Sequence, residues 1–130
     1  MRSDILNYIK GLRLKNFKTS DELPFSNSGT ELYLKNPKTI YVDVEQVEVT
    51  AHIALLNSPD VDQEVHTIKV YFTTDAKQLP NDYSQIISLI RLAKESIIIP
   101  HGFRKDASVS TSYINDFLLT EINFIFTRIA

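Results

Sequence analysis

The closing stretch SVSTSYINDFLLTEINFIFTRI, residues 108 to 129, leaves this chain little freedom in how it can fold. Apolar and polar residues alternate on both sides of Asn115-Asp116, and a two-residue turn there folds the stretch into a hairpin. Asparagine tolerates the left-handed backbone that such turns need, although glycine would suit the second position better. Counting outward from the turn opposes Tyr113 to Leu118 and Val109 to Ile122 on one face. The other face pairs Ser112 with Leu119, Ser110 with Glu121 and Ser108 with Asn123. Turn and alternation agree without adjustment, and a one-residue slip would turn the apolar set outward. The last strand then runs on through Phe124, Phe126 and Ile129.

A longer hairpin is expected in the middle of the chain. Val47, Val49, Ala51, Ile53 and Leu55 alternate with polar or small residues, and Ile68, Val70 and Phe72 do so on the return strand. Facing the two apolar sets suggests Ala51 opposite Ile68, Val49 opposite Val70 and Ile53 opposite His66, with a loop near Asn57 to Asp62. Shorter strands are expected at Glu31 to Leu34 and Thr39 to Val44, around an Asn36-Pro37 turn, after an irregular loop at 22 to 30.

Two segments carry helical spacing. Ile5, Ile9 and Leu12, with Leu6 beside them, form a short stripe that Ser3 can cap and Gly11 can end. Pro80, Asn81 and Asp82 supply a start signal for a second helix, whose stripe is Tyr83, Ile86, Ile87, Ile90, Ala93 and Ile97. Pro100 and Gly102 bar its regular continuation. The expected fold is one α+β domain over residues 1 to 130: a mainly antiparallel sheet, built from the central and C-terminal hairpins, with both helices packed on it.

Composition narrows the function classes. A chain of 130 residues that is 43% hydrophobic and 23% charged can hold a core without staples. The absence of cysteine excludes disulfides, thiolate metal sites and cysteine catalysis. No apolar run approaches the roughly 18 residues of a membrane span, and the N-terminal stretch has no signal-peptide character, so a soluble domain is expected. A formal charge of -2 gives no global reason to bind nucleic acid. Its distribution says more: residues 1 to 18 hold five basic residues against one acidic, whereas 39 to 66 hold six acidic residues and no Lys or Arg. These stretches are either solvated faces or the two sides of a head-to-tail contact between copies.

Catalytic signatures are missing. No phosphate loop, dinucleotide fingerprint, nucleophile elbow or His-Glu-x-x-His helix occurs, and there are three glycines in all. Three histidines (His52, His66 and His101) leave little scope for a metal site, and the expected hairpin sets His52 and His66 on opposite faces. Asp75 and Asp82 flank the second helix and could share a site; the simpler reading ends a strand at Asp75 and puts Asp82 at the helix N-terminus. Tyr33, Tyr41, Tyr71, Tyr83 and Tyr113 lack the interleaved basic residues of a base-stacking platform. No catalytic, cofactor-binding or metal-ligating residue is expected. The alternative class is a small ligand-binding or enzymatic domain using the helix-sheet crevice and Asp75.

One set of segments goes beyond generic pattern: VYFTTDAKQLPNDYSQIISLIRLAKE (residues 70 to 95), DELPFSNSGTELYLKNPKTIYVD (21 to 43) and the closing FLLTEINFIFTRI. Together they resemble the tail terminator, or tail completion, proteins of tailed bacteriophages, over nearly the whole chain. The resemblance implies a non-enzymatic virion protein that forms a ring, commonly of six copies, on the head-proximal end of the tail tube. Such a ring ends tube polymerisation and joins the tube to the neck; another neck or head-tail connector protein is the near alternative. Implied partners are further copies of the chain, the tail tube protein and a neck protein, with viral DNA passing through the lumen unread. Assembly would take place in the host cytoplasm. Phe25, Asn27, Asp60, Asp62, Glu64, Arg104 and Lys105 are the candidate contacts with neighbours: a polar loop, an acidic hairpin tip and two basic residues. The acidic stretch would suit a lumen that must not retain DNA.

Overall fold

The computed structural model describes residues 1–22, 36–52, 61–93 and 99–129. Its spine is a pair of long antiparallel strands, β4 (Val61–Asp75) and β6 (Phe117–Ile129). They match without a slip from Gln63↔Ile129 to Asp75↔Phe117. β5 (Arg104–Ile114) continues the sheet on the far side of β6 in the register read from the sequence, Tyr113↔Leu118, Val109↔Ile122 and Ser108↔Asn123 among its pairs. Asn115 takes the left-handed turn position at φ 55°, one of the few that asparagine accepts cheaply. The fold is α+β, and the sheet is mostly antiparallel.

The other edge of β4 is shared end to end by β2 (Thr39–Val42) and β3 (Gln46–His52). β1 (Lys18–Ser20), a strand with too few residues to show a period, lies parallel to β2. The central hairpin forms, but in another register: Val47, not Ile53, faces His66, and Val49 faces Glu64 rather than Val70. Alternation fixes which face a residue takes but not how far two strands slide, and the two registers place the same residues on the same face. Between Val42↔Val70 and Gln46↔Thr67 three residues on one strand oppose two on the other. This is a bulge, and it reverses the parity of the edge strand. Asp43 donates its amide to the Lys69 carbonyl (2.8 Å), while its carboxylate accepts from the Val44 amide (2.7 Å). The expected strand at Glu31 to Leu34 lies outside the described residues.

One face of the sheet carries the main core. Ile40, Val42, Ile68, Val70, Phe72, Ile122, Phe124 and Phe126 are all buried there. α1 (Arg2–Gly11) covers them with Ile5, Leu6 and Ile9, and α2 (Leu79–Ile90) with Ile86 and Leu89. Ser3 is not the cap: α1 begins at Arg2, whose guanidinium reaches the carbonyls of Val42 (2.9 Å) and Asp21 (3.0 Å) and so holds the first turn. The stripe of α2 is also rotated from the one expected. Tyr83 is 61% exposed, and Asp82 takes the buried position beside Ile86 and Leu89. Arg91–Ala93 tightens into a 3-10 turn after α2; Ile97 lies outside the described residues.

Asp82 is buried because two separate segments supply its partners. Asn16 donates its side-chain amide to Oδ1 (2.8 Å), and the Lys38 ammonium pairs with Oδ2 (3.1 Å). Lys38 sits at φ 63°, donates its amide to the Thr73 carbonyl (2.8 Å) and accepts from the Lys18 amide (3.0 Å). One residue thus joins β1, β4 and α2. Asp75 stands apart: it ends β4 and caps the following 3-10 turn, accepting from the Lys77 amide (2.9 Å). The two carboxylates therefore have separate structural partners. Replacing Asp82 by Ala strands a half-buried ammonium and should cost about 3 kcal/mol, against about 1 kcal/mol for Asp75→Ala, which loses a cap. Urea midpoints of the two variants measure the difference, and equal losses would contradict the assigned roles.

Candidate functional site

α1 and α2 cover the sheet over its Ile40–Phe72–Ile122 region, and the far ends of β3, β4, β5 and β6 hold a different chemistry. His66 stands on the helix-side face of β4, with Val47 on one side and Phe126 on the other. Its Nδ1 lies 2.9 Å from Glu45 Oε1 and its Nε2 lies 2.6 Å from Glu64 Oε1. Carboxylates only accept, so the arrangement is fully satisfied when both ring nitrogens carry hydrogen. Arg128, opposite Glu64 on β6, holds the second Glu64 oxygen with both Nε (3.1 Å) and Nη2. The guanidinium also lies 4.8 Å from the Phe103 ring centroid, and Phe103 meets the His66 ring edge-on at 5.2 Å. Gly102, at φ 84°, makes the turn that delivers Phe103 to this place.

The charge follows from the geometry. Hydrogen bonding from His66, then from Arg128, holds the Glu64 carboxyl below its ordinary value. Two acids and two basic groups alternate along a single chain, Glu45–His66–Glu64–Arg128. Each acid is partly exposed, so the chain of charges reaches the surface. Among the described residues no three His, Asp or Glu side chains converge in a way that could hold a metal ion. No helix of the described residues is long and apolar enough to cross a membrane.

The structure brings four of the seven candidate contact residues to this end of the sheet. Glu64 is inside the network. Arg104 faces Thr127 and Lys105 faces Phe126 on the adjoining rungs, and Asp62 stands opposite Ala51 on β4. Arg104 pairs with Asp106 (3.4 Å), and Lys105 lies over the Phe124 ring at 5.7 Å. Within the chain Glu64 pairs with Arg128. Phe25, Asn27 and Asp60 lie outside the described residues. Sequence reasoning missed Glu45, His66, Phe103 and Arg128. Only the Glu64-x-His66 spacing, which puts both on one face of a strand, could have been read beforehand. No family model and no curated protein matches the chain.

Because the folded chain takes up the Glu64 proton only below 4.5, the ordinary value, the contribution of the ionised Glu64 carboxylate is complete at neutral pH. It is lost as pH falls through the depressed folded value. Wild type should therefore be more stable than Glu64→Gln at pH 7, and the gap should narrow as the pH falls below 4.5. Paired thermal melts check this, and a gap independent of pH would contradict it.

Proposed function

We propose that the chain is a non-enzymatic virion structural protein, a ring subunit that caps the head-proximal end of a phage tail tube. On this reading it ends tube polymerisation and joins the tail to the neck. The observation that carries the proposal is the order of elements: an N-terminal helix, a central strand set, a second helix and a closing hairpin, all on a single sheet. That is the order the sequence resemblance implies for a tail terminator. Exposed apolar side chains add support: Val47, Val49 and Tyr113 are 54%, 62% and 67% exposed. Such side chains on the outer strands are available for contact with neighbours in an assembly.

Partners on this reading are further copies of the chain, the tube protein on one side and a neck protein on the other. DNA passes through without being read. Native mass spectrometry of the purified chain, alone and with preformed tail tubes, tests it. Closed rings of one copy number, alone or on tube ends, are expected. A chain that stays monomeric in both conditions would overturn the proposal.

A further inference from the structure

Among the described residues β1, β3 and β5 each stand at an edge of the sheet. Among the described residues β3 pairs only with β4, and β5 pairs only with β6. β5 is paired to β6 over its whole length, Arg104↔Thr127 to Ile114↔Phe117, with no bulge and no proline. A straight edge of this length presents a row of backbone donors and acceptors for another strand. β3 offers a shorter row, also without proline.

The ladders connect these edges. Glu48 faces Val65, Val65 faces Thr127, and Thr127 faces Arg104. An acid at one edge and a base at the other therefore stand on one rung and on one face. Both are exposed, and Arg104 is 78% exposed despite its contact with Asp106. The next rung, on the opposite face, runs Val47–His66–Phe126–Lys105.

We infer that β5 of one copy adds to β3 of the next, so that the sheet continues from subunit to subunit with Arg104 meeting Glu48. This rests on the ring reading above and supplies its contact. Strand directions agree: β3 and β6 run one way, β4 and β5 the other, so β5 against a neighbour's β3 continues the antiparallel alternation. Among the registers open to such a pair, the one that sets Glu48 against Arg104 brings opposite charges together on one face. The pairing is head-to-tail, using two different edges, and so it can propagate around a ring. On the helix-side face Val47 would cover the methylene stem of Lys105. Edge-to-edge pairing of two β5 strands would instead set like against like and stop at a dimer.

The lack of cysteine makes disulfide trapping clean. Glu48→Cys is combined in turn with Arg104→Cys and with Asp106→Cys, the second covering a two-residue shift on the same face. Directly opposed strand residues lie within the Cα separation that a disulfide spans. Mild oxidation of one of these double variants should give a ladder of covalent multimers, while each single variant stays uncrosslinked. Dimers from a single variant would overturn the inference in favour of like-edge pairing. Rings seen by native mass spectrometry for double variants that yield no ladder would overturn the edge contact and leave the ring reading standing. A ladder without closed rings would keep the contact and remove the ring; neither rings nor ladder would remove both.

Discussion

Much of this structure depends on the burial of one carboxylate. Asp82 is fully buried in α2, among Ile86 and Leu89, where an unpaired charge would be prohibitive. It is tolerable because Lys38 and Asn16 reach it from two other parts of the chain. Lys38 must adopt a left-handed backbone to do so, at a cost of roughly 1 kcal/mol. The same residue closes hydrogen bonds to β1 and β4. Docking of α2, placement of the three-residue β1 and the path of the chain after α1 therefore stand or fall together.

That tie also divides the sheet into two regions. Where the helices lie, the residues are apolar and close-packed, and Ile68, Val70, Phe72, Ile122 and Phe124 have no exposure. Towards the other end the same face turns ionic at His66, Glu64 and Arg128, and on β3 it leaves Val47 and Val49 open. The strands run unbroken from one region to the other, so a rigid core presents a polar and apolar blade. On the proposed reading, recognition belongs to the blade and stability to the covered part.

How far the sequence revealed this depends on what each signal encodes. The β5–β6 hairpin was legible to the residue because a two-residue turn fixes register locally. The central hairpin had the right face and the wrong register, since alternation repeats every second residue and no two-residue turn signal in the sequence pins the pairing there. The stripe of α2 was misplaced because Asp82 reads as an N-terminal acid until Lys38 and Asn16 are known to face it. At the site Glu64, Arg104 and Lys105 were singled out, but their pairing was not. Arg128 lies 64 residues from Glu64, and only the long β4–β6 ladder makes them neighbours.

The extra residue between Val42 and Gln46 sets the phase of everything after it along that edge. Even-numbered residues point into the core before it, and odd-numbered residues take that side after it. Losing one residue there would exchange the two sides of β3, sending Glu48 towards the helix layer and Val47 and Val49 to the back of the sheet. Losing or gaining two would leave the sides as they are. Length change at this point is thus constrained to even steps, a rule imposed by pleat geometry and independent of what the side chains are.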